Sequence, residues 1–301
     1  MGWIRILIAS TLLGLNTLVH GLPLLLLALL KVALPWAGAR RRLTAVLTGL
    51  AESWIGFNDW MIDRLSGMRI RIEGELPQGT PADLSGHYLV LANHQSWVDI
   101  PVLQRVFNRR LPLLRFFLKS QLIWVPLLGL AWWALDFPFM KRYSKETLAK
   151  KPQLAGRDVE ATRRACRKFL ERPVAVMNFV EGTRRTPAKH SAQQSPHEHL
   201  LRPRAGGIAF VLDAMQDAIE TIIDVTLVYP RGTGELGALM AGRIPEVVVH
   251  VRAFPVPDEL RGGDYQHDEE FRSRFQVWLN TLWEEKDARI EAILQRRRGT
   301  H

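Results

Sequence analysis

Residues Ile6–Leu30 run for 25 positions without a lysine, arginine, aspartate or glutamate. A helix needs about 20 apolar residues to cross a bilayer, so this run is long enough. Trp3 and Trp36 bracket it, as interfacial anchors do. Gly21-Leu22-Pro23 interrupts it after His20, so two forms are open: one kinked span, or a re-entrant helical hairpin. Arg40, Arg41 and Arg42 follow, and by the positive-inside rule they hold the rest of the chain on the cytoplasmic side. A cleavable signal peptide ending at Ala37-Gly38-Ala39 fits less well. Its apolar core would be too long, its leading segment holds only Arg5, and a triple arginine would open the exported chain.

The charge balance points the same way. Forty Lys+Arg against 30 Asp+Glu leave a net +10, which calls for an anionic partner. With the apolar run present, a membrane lipid bilayer accounts for that charge, and nucleic acid is not expected as a partner. Cys166 is the single cysteine, so no intrachain disulfide can form. The 301 residues suffice for one large α/β domain or two small ones.

Beyond the anchor, residues 43–67 have helical apolar spacing, suited to a membrane surface or to a core. Strand patterns follow at "MRIRIEGEL", "HYLVLAN", "PVAVMNFV", "ETIIDVTLVYP" and "EVVVHVRAF". Helical segments lie between and after them, near 97–107, 157–171, 206–216 and 268–298. This order predicts an α/β fold: a mixed, largely parallel sheet with flanking helices, preceded by the membrane anchor. The expected division is an anchor over 1–42 and a domain over 43–301, closed by a helix near 264–298. In that helix Phe271, Phe275, Leu279 and Leu282 share a packing face. Residues 186–200 read as a polar loop. His197 and His199 flank Glu198 there, but without a third ligand in view no metal site is expected.

The chemistry is carried by two short stretches. "YLVLANHQSWVDI" places His94 just past an apolar strand and Asp99 five residues on. On a regular helix the two would diverge. They converge if the chain turns between them, and Asp99 would then hold the imidazole tautomer while the other ring nitrogen takes a proton. Taken alone, Ser96-x-x-Asp99 is equally a capping signal at a helix start, and that is the simpler reading. The second stretch, "NFVEGTRR", ends a strand in Glu181, Gly182, Thr183 and Arg184. A hydroxyl, a guanidinium and backbone amides at such a strand end suit a phosphate.

Together, "NHQSWVD" and "FVEGTR" resemble the N-H-x4-D and F-x-E-G-T-R signatures of the glycerolipid acyltransferase family, which includes the 1-acyl-glycerol-3-phosphate acyltransferases. Within it the chain is similar to the enterobacterial YihG-type branch. The resemblance covers about residues 70–255 and the anchor. It implies an O-acyltransferase that moves a fatty acyl group from an acyl thioester to the free hydroxyl of a lysophosphatidic acid, giving phosphatidic acid. His94 would be the general base and Asp99 its partner, with Arg142, Glu181, Gly182, Thr183 and Arg184 around the acceptor's phosphate. Asn93, Arg204 and Gly206 are further substrate-binding candidates. Asp136 and Val180 stand where the family more often has Gly and Pro, and Arg185 where it has a small polar residue. Those departures bear on the shape of the acceptor pocket.

The implied reaction needs no cofactor and no metal. Acyl-CoA or acyl carrier protein serves as co-substrate, with a lysophospholipid as acceptor. The resemblance and the anchor together imply a bacterial cell inner membrane location with the site on the cytoplasmic side. Basic neighbours around Cys166 would lower its pKa, but the thiol stands apart from both motifs. Residues 116–139 are apolar and rich in tryptophan, yet one crossing there would separate His94 from Arg184 across the bilayer. They are expected to form a membrane-facing floor beside the site, the alternative being a buried core.

Overall fold

The structure, a computed structural model, describes residues 2–77, 85–140 and 157–298. Its centre is the apolar run of the first motif. Strand β2 (His87–Ala92) lies between β7 (Ile219–Val228) and β6 (Val174–Phe179), parallel to both. Leu89 and Leu91 point into one core, Val90 and Ala92 into the other. Both faces are covered, so the strand reads as a continuous apolar run rather than an alternating one. Full burial of each such leucine contributes about 1.5–3 kcal/mol.

Among the described residues the sheet has six strands, in the order β1 (Arg69–Gly74), β8 (Glu246–Pro255), β7, β2, β6 and β3 (Leu114–Phe116). Strands β7, β2, β6 and β3 run in one direction. Strand β8 is antiparallel to β7, and β1 is parallel to β8. The expected mixed, largely parallel sheet is therefore present. The C-terminal ends of β2 and β6 are neighbours, which brings the two motif loops to one edge.

Helices cover both faces. Helix α3 (Asp99–Phe107) follows β2 and packs on α2 (Ala37–Met61). Helix α5 (Arg157–Phe169) packs on α7 (Gly206–Met215). The last helix, α9 (Glu269–Arg298), buries Phe271, Phe275, Leu279 and Leu282, as its spacing predicts, and continues the face with Trp283, Ile290 and Ile293. The same helix buries Lys286 completely. Its Nζ lies 2.6 Å from Asp224 Oδ1 and donates to the Val225 carbonyl at 2.6 Å. Removing one partner of such a pair costs about 3–5 kcal/mol.

The N-terminal run is one helix, α1 (Gly2–Ala33), with Pro23 inside it. It does not divide into two short helices. The hairpin is formed instead by α1 and α2, joined by three residues, 34–36. Polar groups stitch the pair. Asn16 Nδ2 donates to the Trp54 carbonyl and to Asn58 Oδ1, Trp54 Nε1 donates to Thr17 Oγ1, and His20 Nε2 meets Ser53 Oγ at 3.0 Å. The opposite face of α1 is apolar and exposed, including Leu7, Leu22, Leu26 and Leu29. At about 1.5 Å per residue, α1 is about 48 Å long.

Residues 116–139 contain no crossing helix. They form the short strand β4 (Leu118–Lys119), a 3-10 turn (Ser120–Trp124) and α4 (Leu128–Ala134), and then enter β5 (Phe139–Met140). Trp124 and Trp133 are exposed, at 84% and 53%. The polar stretch 186–200 differs from expectation. Thr186 Oγ1 caps a short helix, α6 (Pro187–Gln193), by accepting the Lys189 amide, and Pro187 stands at its first position. A capping threonine followed by proline is a helix-start signal that outweighs the polar composition.

Candidate active site

The chain turns sharply between Ala92 and Asp99, and the turn is built on the Asp99 carboxylate. Oδ2 accepts the backbone amides of Gln95 at 2.6 Å and Ser96 at 2.9 Å, and it meets His94 Nδ1 at 2.8 Å. Oδ1 accepts the Tyr229 hydroxyl at 2.7 Å. Asp99 is wholly buried. The turn that leads into the helix and the His–Asp pair are thus one arrangement, since a single oxygen serves both, while the helix itself starts at Asp99 without a side-chain cap. An acceptor at Nδ1 fixes the proton there and leaves Nε2 as the basic nitrogen. His94 lines the main cavity, and its ring stacks on Phe179 with centroids 3.9 Å apart.

The second loop holds the first in place. Glu181 is fully buried, and its two oxygens accept the His94 amide at 2.9 Å and the Leu201 amide at 2.8 Å. Burial pushes its carboxyl up to about 7, against the pull of those two amides. The Leu201 carbonyl in turn accepts Trp283 Nε1 at 3.0 Å, which ties α9 to the site. The Arg185 amide donates to the His94 carbonyl at 2.8 Å. Asn93 is also fully buried and exchanges two hydrogen bonds with the Leu227 backbone, at 2.8 and 2.9 Å. Asn93 and Glu181 therefore spend their polar atoms on backbone.

The rest of the second motif faces the cavity. Gly182 has φ +68°, in the left-handed region that a side chain disfavours. Thr183, Arg184, Arg204 and Gly206 all line the same space as His94. Arg184 lies over the Trp97 ring at 4.6 Å and pairs with Glu235 at 3.5 Å. Lys189 also lines the cavity and donates to Thr183 Oγ1 at 2.6 Å. Arg142 lies outside the described residues.

This cavity has a volume of about 1370 Å³. Its polar end is the loop 182–184 with Lys189 and Arg204. Its other walls are mainly apolar, with Leu13 and Leu18 of α1, Ile100 of α3, and Phe116, Leu122 and Trp132 of the 116–139 segment among scattered polar groups such as Asn58, Gln104 and Lys119. Helix α1 is thus a wall of the site, and the floor predicted at 116–139 contributes a second wall.

A sequence profile described as Acyltransferase matches residues 69–230, more than half of the chain. The chain belongs to the acyltransferase family. Among curated relatives, mouse lysocardiolipin acyltransferase 1 is 24% identical over 84% of this chain and 65% of its own length. The 2-acyl-1-lysophosphatidylinositol acyltransferase of Saccharomyces cerevisiae is 26% identical over 75% and 69%. Mouse 1-acyl-sn-glycerol-3-phosphate acyltransferase gamma is 27% identical over 70% and 54%. This acyltransferase-family chain therefore spans about half to two thirds of the length of these relatives.

The family region contains residues that the two motifs alone do not reveal. Tyr229, 130 positions after Asp99, is one; Leu201, which shares Glu181 with His94, is another. Cys166 is sealed in the core, and burial pushes its thiol up to about 12, opposite to the lowering expected from basic neighbours. His199 does find carboxylate neighbours, Glu198 and Glu291, with ligand atoms within 4.8 Å of one another. His199 already pairs with Glu291 at 2.9 Å, and none of the three lines the cavity.

Proposed function

We propose that this chain transfers a fatty acyl group from an acyl thioester to the free hydroxyl of lysophosphatidic acid, giving phosphatidic acid. The observation that carries the reading is that one cavity joins His94 to a basic end and to an apolar wall. An acceptor with a phosphate, a hydroxyl and an acyl chain has a part suited to each. In the proposed step, His94 Nε2 removes the hydroxyl proton as the oxygen attacks the thioester carbonyl. Asp99 stabilises the imidazolium, and the proton then leaves with the thiol. Arg184, Thr183, Lys189 and Arg204 would hold the phosphate, joined by Arg142 from outside the described residues. Glu181 and Asn93 would act through the backbone they hold, with Gly182 giving the loop its turn and Gly206 opening α7 beside it. Backbone amides would receive the oxyanion. No metal or other cofactor enters this scheme.

The relatives' names span lysocardiolipin, lysophosphatidylinositol and 1-acylglycerol 3-phosphate. Another lysophospholipid or glycerol 3-phosphate is therefore the second reading for the acceptor. We place the chain at a bacterial inner membrane, on its cytoplasmic side, in the YihG-type branch. An α1–α2 hairpin lying in one leaflet suits the geometry better than a crossing. Much of α1 packs along α2, α4 and α8 (Leu236–Met240), and the polar stitch would carry α2 with it through the bilayer.

The test offers isolated membranes a panel of lysophospholipids and glycerol 3-phosphate with acyl-CoA or acyl carrier protein, and reads products by mass. Lysophosphatidic acid should be acylated by wild type and not by His94→Ala. Full transfer by His94→Ala would refute the mechanism. Nucleic-acid binding without any transfer would favour a non-catalytic role.

A further inference from the structure

A second concave site lies at the same edge of the sheet as the candidate active site. The C-terminal end of β7 and the N-terminal ends of β8 and β1 meet there, because β8 and β1 run opposite to β7. The pocket is about 820 Å³, within the range of small-ligand sites. Six arginines line it: Arg69, Arg71, Arg105, Arg231, Arg297 and Arg298. Among the described lining residues two carboxylates oppose them, Asp63, which pairs with Arg105, and Glu246, 2.8 Å from Arg297. Arginine is thus the prevailing charged side chain among the described residues of this hollow.

The pocket shares a wall with the main cavity. Within the turn Ile62–Ser66, Asp63 faces the basic pocket, while Ile62, Leu65 and Ser66 line the cavity of His94. Helix α3 does the same, with Arg105 on one side and Pro101 and Gln104 on the other. Along the sheet, β1 stands three strand spacings from β2, about 14 Å. An extended pantetheine arm covers that distance.

We infer that this pocket holds the phosphate-rich nucleotide end of a coenzyme A thioester while its acyl group reaches His94. The inference rests on the acyltransferase reading above and names its donor. A 3′-phosphate carries about −1.5 to −2 and the diphosphate adds about two further charges, so the ligand is a polyanion of the kind an arginine-lined hollow attracts. Planar guanidinium forks suit such oxygens. The concave shape favours a small polyanion over an acidic carrier protein, which would dock on a broader surface.

The test uses the full-length protein in neutral micelles and the double variant Arg69→Ala/Arg298→Ala, whose side chains are exposed at the pocket rim. Calorimetry measures free coenzyme A binding, which requires no turnover. Wild type should bind it at least about ten-fold more tightly than the variant. Dephospho-coenzyme A should lose most of that difference, and equal circular dichroism would show that the variant folds. In turnover, the variant's KM for acyl-CoA should rise with kcat and the lysophospholipid KM unchanged. Equal coenzyme A affinity in both proteins overturns the inference while leaving the transfer reaction intact. So does a variant that loses only adsorption to anionic phosphatidylglycerol vesicles, or only transfer from acyl carrier protein. Arginine-dependent coenzyme A binding with no transfer to any acceptor would sustain the pocket and reject the reaction.

Discussion

His94 Nδ1 and Asp99 Oδ2 lie 2.8 Å apart, and that oxygen also accepts the two backbone amides between them. The carboxylate therefore builds the turn that aims it at the imidazole. Asparagine at this position keeps the size and loses the charge. We expect Asp99→Asn to lower kcat by at least about 100-fold, since an amide cannot stabilise the imidazolium and can enforce the wrong tautomer. Steady-state kinetics should show KM for the acceptor little changed. Retention of more than a tenth of the activity would remove Asp99 from the mechanism.

Tyr229 donates to the other oxygen of Asp99 at 2.7 Å. Burial and the nearby carboxylate raise its phenol well above the ordinary range, so it stays a donor at every working pH. Tyr229→Phe removes one hydrogen bond to a charged group and leaves the ring packing in place. The loss corresponds to about 1.5–3 kcal/mol, or roughly a ten- to hundred-fold fall in kcat if the bond fixes the carboxylate in the transition state. A purely structural role would instead lower the melting temperature with kcat unchanged.

Glu181 gives a pH signature of its own. Its carboxyl titrates near 7 in the fold against an ordinary value of 4.5, mainly because it is buried. A raised carboxyl favours the fold while protonated. That contribution is complete below about 4.5 and is lost as pH rises through about 7. Glu181→Gln cannot ionise, so it should lack this part of the pH dependence. Melting temperatures of the two proteins in detergent between pH 5 and 8 test it. The wild-type advantage should shrink toward pH 8, and a constant difference would show that Glu181 does not titrate there.

Much of this arrangement is legible in the chain itself. The run before Asn93 must be buried on both faces, and a helix start at Asp99 follows from the polar residues ahead of it. The meeting of His94 with the second motif needs the sheet order, which places β6 beside β2. Local pattern says nothing of that order. Tyr229 and Leu201 were hidden for the same reason, because each contacts the site across more than a hundred positions or through a backbone amide. Lys286 looks like one charge among many on a helix, and only the packing of α9 over Asp224 makes it a core residue. The N-terminal run was readable as apolar and long. Its polar inner stripe of Asn16, Thr17 and His20 was the sign that it has a protein partner, and α2 supplies that partner.

Leu13 and Gly14 of the same helix lie on the cavity wall, and this fixes what a change there should do. A Cβ placed on Gly14 meets nothing within 4 Å, and its backbone is ordinary helix. A leucine at this position should therefore fold normally, and relief from helical glycine favours it by up to about 1 kcal/mol. Its side chain would enter the space that the proposed reaction assigns to an acyl chain. We expect Gly14→Leu to lower kcat/KM for long-chain donors or acceptors by about ten-fold while short-chain substrates keep theirs, because overpacking an occupied site costs about 1–3 kcal/mol. A chain-length series run on wild type and variant reads this directly. An identical profile in both would mean that the acyl chain lies elsewhere and that α1 serves the membrane alone.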